Sequence, residues 1–185
     1  MFKWNIAALV GVPGVGKTSL CRSAAGALGY KHVNYGELML DVAMSKKLAS
    51  NLDEIFKLDL EVQQSIWEAA AYRVKEINGT SDKILLDLHG VDLSNIGYIL
   101  SLPIEIITPD LIIIVESSYE NIIKRRCGDK SRKRRLEYIK NVKEHMEILR
   151  MSMIACSVIY GSYITFLNND NFEKCLNELK EVLCG

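Results

Sequence analysis

One segment near the start of the sequence constrains the fold more than any other. Residues 11–18 match the phosphate-binding loop pattern G-x-x-x-x-G-K-[ST]. An apolar run at residues 6–10 precedes the segment, and a helix-like segment at residues 19–28 follows it. In this order of strand, loop and helix, the glycines let backbone N–H groups turn towards phosphate oxygens, and the positive end of the helix dipole faces the anion. The sequence therefore predicts a nucleoside triphosphate bound at this loop.

Side chains in and beyond the loop have predicted roles in binding the triphosphate and its metal. Lys17 places a positive charge near the β and γ phosphates, and Thr18 offers a hydroxyl to Mg²⁺. Asp87 ends a predicted strand, where its carboxylate can hold the water shell of Mg²⁺ or simply cap the strand. The predicted ATP-binding residues are Gly11, Val12, Pro13, Gly14, Val15, Gly16, Lys17, Thr18 and Ser19.

Apolar runs alternate with helix-like segments along the rest of the chain. Strands are predicted at residues 6–10, 32–35, 83–86, 111–115 and 163–167. Helices are predicted at residues 19–28, 37–48, 60–77, 119–126, 137–153 and 172–183, and a loop at residues 91–109. The alternation predicts a three-layer α/β fold, with a five-stranded parallel sheet covered by helices on both faces. Because ligands bind at the carboxyl ends of such strands, the phosphate loop, residues 35–36 and residues 87–90 are expected to meet there.

Length and composition limit the remaining possibilities. The chain has 185 residues, 49% of them hydrophobic and 25% charged, which is typical of one soluble globular domain. No apolar run reaches the roughly 18 residues that a membrane span needs, and the first residues lack the cleavage site of a signal peptide. The five cysteines form no Cys-x-x-Cys pair, so their spacing predicts neither a zinc site nor a disulfide framework. We therefore expect a cytoplasmic protein with reduced thiols and no membrane partner.

Basic charge is concentrated in residues 124–135. This segment has eight lysines and arginines and one acidic residue, whereas the whole chain has 23 basic and 23 acidic residues. Three interpretations stay open: a lid that neutralises phosphates, a solvated surface, or a surface for RNA backbone. The phosphate loop favours the lid, because phosphoryl transfer needs cations around three phosphates in a site that excludes water. The net charge of zero argues against a general affinity for nucleic acid.

Several motifs taken together resemble those of the archaeal-type adenylate kinases, a group of nucleoside monophosphate kinases. They are a phosphate loop that contains a proline, an Asn-Tyr-Gly stretch, an Asp-x-His strand end, a basic Asp-x-x-Arg-x-Arg lid, a Gly-Tyr pair and a Leu-Pro pair. In that order, the matching segments are residues 11–18, 34–40, 86–89, 129–134, 97–98 and 102–103. Many enzymes share the phosphate loop, but the combination is much more specific, and the resemblance covers nearly the whole chain.

The resemblance implies reversible, Mg²⁺-dependent phosphoryl transfer from ATP to AMP, giving two ADP. It implies a single P-loop domain over residues 1–185, with a helical monophosphate-binding insertion at residues 36–79 and a short lid at residues 127–136. Members of the family commonly form trimers, so a homotrimer is implied. The implied catalytic residues are Lys17, Arg125, Arg132 and Arg134. The implied AMP-binding residues are Tyr35, Gly36, Glu37, Asp87, His89, Gly97 and Tyr98.

Two departures from the family pattern concern the AMP side. Family members usually carry a basic residue shortly after the Asp-x-His, where this chain has residues 91–93, Val-Asp-Leu, and an arginine of the second monophosphate-side helix falls at Phe56. Arg22 and Arg73 are the candidates to replace the missing charge. His89 can hydrogen-bond a phosphate or a base, or be an ordinary polar residue of a loop.

Two alternatives to an adenylate kinase stay open at this point. One is a kinase for another monophosphate, CMP or UMP. The other is an adenylate-kinase-like ATPase that assists ribosome assembly, whose Asp-x-His-Gly strand end is similar to residues 87–90. In that case the basic lid would touch rRNA, and only then is nucleic acid expected as a partner. The Asn-Tyr-Gly stretch favours the kinase, whereas the missing basic residues favour the ATPase.

Overall fold

The computed structural model describes residues 4–80, 83–94, 97–128 and 139–185. The strands are β1 (Ile6–Val10), β2 (Lys31–Asn34), β3 (Ile84–Asp87), β4 (Val91–Ser94), β5 (Gly97–Leu100), β6 (Leu111–Glu116) and β7 (Tyr163–Asn168). The helices are α1 (Lys17–Leu28), α2 (Tyr35–Ser45), α3 (Leu52–Ile55), α4 (Leu60–Gly79), α5 (Tyr119–Gly128), α6 (Ile139–Tyr160) and α7 (Phe172–Cys184). Residues 129–136 of the predicted lid, with Arg132 and Arg134, lie outside the described residues.

The predicted five-stranded parallel sheet is confirmed. Its strand order is β2-β3-β1-β6-β7, and every neighbouring pair runs parallel. All residues of β1 and β3 are buried, as are the first five residues of β6. Central strands of this kind are apolar at consecutive positions because helices cover both faces of the sheet. The carboxyl ends of β1, β2, β3, β6 and β7 therefore lie along one edge, and the phosphate loop begins there.

The structure differs from the sequence prediction in the segment 91–109, which was expected to be a loop. Here β4 and β5 form an antiparallel hairpin, with Val91 opposite Leu100. Each strand has four residues, which is too short for alternation of apolar and polar side chains to distinguish a strand from a loop.

The boundaries of several helices also differ from those predicted, with the largest differences in α2 and α6. Tyr35 begins α2 rather than ending β2, because the side chain of Asn34 caps the helix by accepting a hydrogen bond from the Glu37 amide at 3.1 Å. Helix α6 continues to Tyr160 instead of ending at Met153. The last turns of α6 carry exposed apolar side chains. The periodicity of apolar residues that predicts a buried helix face is therefore lost there. Among the described residues, no helix is both long and apolar enough to span a bilayer.

Candidate active site

The phosphate loop joins β1 to α1 in a conformation that depends on glycine. Gly16 precedes α1 with a φ of 95°, a left-handed backbone that side chains rarely adopt. A Cβ atom on Gly16 would lie 2.5 Å from Asn169 Nδ2, so the loop has no room for a side chain at this position. Val12 and Val15 are buried in the core and anchor the loop from below. The loop is therefore held tightly between the sheet and the segment that follows β7.

Helix α1 begins with Lys17 and Thr18. Both residues lie at the edge of the sheet where the parallel strands have their carboxyl ends, which we call the functional edge. Lys17 is only 6% exposed, and its Nζ donates to the carbonyl oxygen of Gly11 at 2.6 Å. Thr18 Oγ1 donates to Asp87 Oδ2, also at 2.6 Å. A buried cation and a hydroxyl thus stand together at the start of the helix, next to a carboxylate at the end of β3.

Asp87 is held as a carboxylate by its neighbours. Burial alone would raise its pKa, but His32, Lys17 and Thr18 stabilise the charged form and lower the pKa below its usual value. Asn34 Nδ2 donates to the same oxygen at 3.1 Å. Because Asp87 stays ionised at neutral pH, it is available to interact with a cation or with cation-bound water.

Two arginines of α5 hold the phosphate loop from outside. Arg125 donates from Nη1 to the carbonyl oxygen of Val15 at 2.9 Å and from Nη2 to the carbonyl oxygen of Asn169 at 2.7 Å. Arg126 donates from Nε and Nη2 to the carbonyl oxygen of Pro13 at 2.9 and 2.7 Å. The planar guanidinium suits this role, because it presents several donors in a rigid fork.

A cavity of about 690 Å³ runs along the functional edge and brings together most of the predicted site residues. Its walls include Lys17, Thr18 and Ser19 from the donor side, and Gly36, Glu37 and His89 from the predicted acceptor side. Asp87 and Arg125 also line it. One continuous space therefore reaches both the phosphate loop and the start of α2, as two substrates that exchange a phosphoryl group would require.

Some predicted residues lie elsewhere. Gly97 and Tyr98 are on β5 and are absent from the described walls of the cavity. The hydroxyl of Tyr98 donates to Glu144 Oε1 at 3.3 Å, and its ring packs at 5.4 Å from that of His145. Tyr35 borders the cavity, but its hydroxyl donates to the carbonyl oxygen of Trp67 at 2.5 Å, and burial raises the pKa of its phenol.

His89 is paired with an acid. Its Nδ1 lies 2.7 Å from Asp92 Oδ1, and both residues line the cavity. Burial would raise the pKa of Asp92, but the charge and hydrogen bond of His89 lower it. The segment 91–93, which the resemblance led us to expect to carry a basic residue, thus contains an ionised acid that orients the histidine.

Of the two arginines considered for the missing charge, the structure places one at the cavity. Arg22 lines the wall and lies 3.7 Å from Glu37 Oε1, with its side chain 65% exposed. Arg73, on α4, is not among the described residues of the wall. Phe56 also lines the cavity, with Met39 and Leu52, so this side has an apolar wall as well as a cation.

Sequence reasoning missed three residues that shape the site. Asn34 contacts Asp87, Arg126 holds the phosphate loop, and Asn169 Nδ2 donates to the carbonyl oxygen of Val15 at 2.7 Å. Asn169 belongs to a run of polar residues, 168–171, that begins at the last residue of β7. The position of this run after a strand of the parallel sheet was the available signal.

Comparisons with known proteins identify relatives of this chain. A family model described as AAA domain matches residues 10–143. An adenylate kinase homolog from Methanothermobacter thermautotrophicus is 43% identical over 176 residues, which cover 95% of this chain and 90% of the relative. An adenylate kinase from Methanoculleus marisnigri is 35% identical, with coverage of 95% and 96%.

A solved structure supports the fold. The crystal structure of shikimate kinase from Bacteroides thetaiotaomicron matches with a TM-score of 0.59 over 97% of this chain and 98% of that chain, at 15% identity. The shared architecture is that of P-loop kinases. The sequence relatives go further and assign the chain to one family. The chain belongs to the archaeal adenylate kinase family, as its motifs predict.

Proposed function

We propose that this protein is an adenylate kinase, which transfers the γ-phosphoryl group of ATP to AMP and gives two ADP. The single observation that carries the proposal is the continuous cavity, whose walls combine a complete phosphate loop with residues 36–37 of the Asn-Tyr-Gly stretch. The names and coverage of the archaeal relatives support the same activity.

The donor side would act by positioning and by charge. Backbone N–H groups of the loop would bind the β and γ phosphates, and Lys17 would neutralise charge that develops during transfer. Its burial strengthens this effect, because a charge acts more strongly where water is excluded. Arg125 would contribute in a different way, since its guanidinium already holds Val15 and Asn169 and so keeps the loop in shape.

The residues present fit Mg²⁺ as the cofactor of ATP. Thr18 and Asp87 offer oxygen atoms, which Mg²⁺ prefers, and the 2.6 Å hydrogen bond between them places both at the first turn of α1. Thr18 would be the direct ligand, and Asp87 would hold the ion through water. When bound, the ion would neutralise phosphate charge in the transition state.

The acceptor side combines a cation with an apolar wall. Arg22 is the candidate for the AMP phosphate, because it lines the cavity next to Glu37 and the chain lacks the family's other basic residues there. Met39, Leu52 and Phe56 would pack against the nucleoside. The β4–β5 hairpin carries Gly97 and Tyr98. We propose that these two residues do not contact AMP and influence the acceptor side only through the packing of the hairpin.

The test is ADP formation from ATP and Mg²⁺, with and without AMP, CMP or UMP in turn. We expect strong stimulation by AMP alone. The matched control is Lys17→Ala, which should abolish turnover and leave the fold intact. Stimulation by CMP or UMP instead would change the acceptor, and slow hydrolysis that is indifferent to all three would exclude the kinase.

One observation favours a second candidate, the ATPase that assists ribosome assembly. The segment 91–93 lacks the basic residue that the resemblance implies there, and the contact of Asp92 with His89 gives the cavity a histidine–carboxylate pair that could orient a water molecule. In that case ATP hydrolysis would not need a monophosphate, and the assay above separates the two candidates. RNA is a proposed partner only for this second candidate.

We further propose a homotrimer that works in the cytoplasm. Helix α6 carries an apolar stripe, Met151, Ile154 and Val158, which are 64%, 45% and 77% exposed. The spacing of three and four residues places them on one face of the helix. Tyr163 and Phe166 of the edge strand β7 are also exposed. A surface of this kind is typical of contacts between subunits.

A further inference from the structure

Three potential metal ligands from three different elements meet beneath the phosphate loop. They are the Cys21 thiol on α1, the His32 imidazole on β2 and the Asp87 carboxylate at the end of β3, and their ligand atoms all lie within 4.8 Å of one another. Cys21 is fully buried, and the side chains of His32 and Asp87 are 17% and 3% exposed. The elements that carry them belong to the sheet and its covering helix, so the cluster is rigidly held.

One atom of this cluster has an unused hydrogen-bonding capacity. His32 Nε2 is buried and has no hydrogen-bond partner among the described residues. It faces Asp87 Oδ2 at 3.6 Å, which is beyond hydrogen-bond distance. A buried polar nitrogen without a partner costs free energy. In the tautomer that carries its proton on Nδ1, the Nε2 lone pair is free to bind a metal ion that lies between the two side chains.

We propose that Cys21, His32 and Asp87 form a binding site for a thiophilic divalent cation, with Zn²⁺ as the best fit. A tetrahedral zinc ion with these ligands needs separations of about 3.5 Å between ligand atoms, given metal–ligand distances of about 2.0–2.3 Å. The distance of 3.6 Å from His32 Nε2 to Asp87 Oδ2 is already close to this value, and Cys21 Sγ would need to approach by about 1.3 Å at most. The set of sulfur, nitrogen and oxygen donors favours Zn²⁺ over Mg²⁺, which prefers oxygen alone.

Charge balance supports the assignment. Binding converts the Cys21 thiol to a thiolate, and its proton passes to solvent. One thiolate, one carboxylate and a neutral imidazole then carry two negative charges, which match those of the cation, so the buried site stays neutral. A water molecule would be the fourth ligand, as in zinc sites with three protein ligands.

The site shares Asp87 with the proposed magnesium site. Thr18 and Asn34 both donate to Asp87 Oδ2, the oxygen that faces His32. A zinc ion at Cys21 and His32 would draw this carboxylate away from Thr18 and from the water shell of Mg²⁺. Zn²⁺ would therefore inhibit Mg²⁺-dependent turnover. This effect rests on the proposed function, whereas metal binding itself does not.

The binding test uses Co²⁺ as a spectroscopic probe of the reduced, full-length protein without nucleotide. We expect a thiolate-to-cobalt band in the near ultraviolet for the wild type. Cys21→Ser should remove the band, and His32→Gln should weaken binding at least about tenfold. The matched control is Cys184→Ser, which removes an exposed thiol and should leave the band unchanged. Absence of the band in the wild type, or its survival in Cys21→Ser, would overturn the proposal.

Two further measurements test the proposal independently of the cobalt spectrum. X-ray absorption of the zinc-loaded wild type should show one sulfur neighbour, without reliance on any variant, and a shell of nitrogen and oxygen alone would exclude the site. The second measurement is zinc inhibition of ADP formation. For each protein, activity at a series of buffered free Zn²⁺ concentrations is compared with the activity of the same protein without Zn²⁺. The inhibitory concentration should rise at least about tenfold in Cys21→Ser relative to the wild type. Cobalt binding with no zinc inhibition would retain the site and exclude its control of Asp87.

Discussion

Arg125 donates a hydrogen bond from Nη1 to the carbonyl oxygen of Val15 at 2.9 Å and so joins helix α5 to the phosphate loop. The same guanidinium reaches the Asn169 carbonyl oxygen, and Asn169 in turn donates to Val15. Helix α5, the segment after β7 and the loop are thereby held as one unit. The shape of the loop depends on residues more than a hundred positions away in the sequence.

Substitution of Arg125 by lysine should weaken this unit. Lysine keeps the charge but lacks the fork by which Arg125 reaches Val15, Ser117 and Asn169 together. We therefore expect a loss of about 1.5–3 kcal/mol in the free energy of unfolding and weaker ATP binding. Urea unfolding and an ATP titration measure the two effects. Lys124→Ala, at an exposed position of the same helix, is the control. An Arg125→Lys protein equal to wild type in both measurements would contradict the structural role.

Arg22 should matter for the acceptor and not for the donor. Removal of a cation from a phosphate contact costs about 1.5–3 kcal/mol, so Arg22→Ala should raise the KM for AMP about tenfold or more and change the KM for ATP little. Arg73→Ala is the matched control, since Arg73 is outside the described cavity wall. Steady-state kinetics with each substrate varied in turn gives the answer. If Arg73→Ala had the larger effect on AMP, our assignment of the acceptor cation would be wrong.

Two glycine-to-alanine substitutions should have opposite effects on stability. Gly16→Ala forces a side chain into a φ of 95° and against Asn169 Nδ2, so we expect destabilisation by about 1–3 kcal/mol. Gly26→Ala lies in α1 with no atom within 4 Å of the added Cβ, and it should stabilise by about 0.5–1 kcal/mol. Denaturant unfolding of both variants measures the difference. If both substitutions changed the free energy of unfolding in the same direction, the claim that local backbone conformation decides the effect would be refuted.

Acid should destabilise the protein through Asp170. Its Oδ1 accepts hydrogen bonds from the Ser118 amide at 2.7 Å, Ser117 Oγ at 2.8 Å and Asn121 Nδ2 at 2.9 Å. The bond from Ser118 contributes most to a strongly lowered pKa. Because the folded-state pKa lies below the unfolded value of about 3.9, this stabilisation is complete above that pH and is lost as the pH falls below it.

Unfolding midpoints measured from neutral pH into this acid range test the assignment. Asp170→Asn should be less stable than wild type at neutral pH, and the difference should shrink in acid. Asp41→Asn, at an exposed position of α2, is the control and should follow the wild type. A constant difference between Asp170→Asn and wild type across the whole range would show that the charge of Asp170 is not involved.

The oligomer should depend on the apolar stripe of α6. Val158 is 77% exposed, so Val158→Glu should leave the fold intact and prevent assembly, because it would bury a charge between subunits. Size-exclusion chromatography with light scattering should show a trimer for the wild type and a monomer for the variant. Tyr72→Glu, at an exposed position of α4, should stay trimeric. A monomeric wild type would exclude the proposed assembly.

The sequence by itself determined the architecture and the donor half of the site. Consecutive apolar residues, as in β6, are typical of a parallel sheet covered on both faces, and the pattern at residues 11–18 is typical of phosphate binding. Each of these patterns depends only on residues that are close together in the sequence, so it can be recognised without the tertiary structure. They also predicted that Asp87 would stand beside Thr18, since both follow strands of one sheet.

Only the tertiary structure decided which distant residues share a contact. Packing of helices and loops decides that Arg22 lines the cavity, that two arginines of α5 contact the phosphate loop and that His89 pairs with Asp92. The cysteine spacing predicted no zinc site, yet Cys21 comes within reach of His32 and Asp87. These three residues lie on separate elements, and their ligand atoms meet because parallel pairing sets β2 beside β3 while α1 covers them.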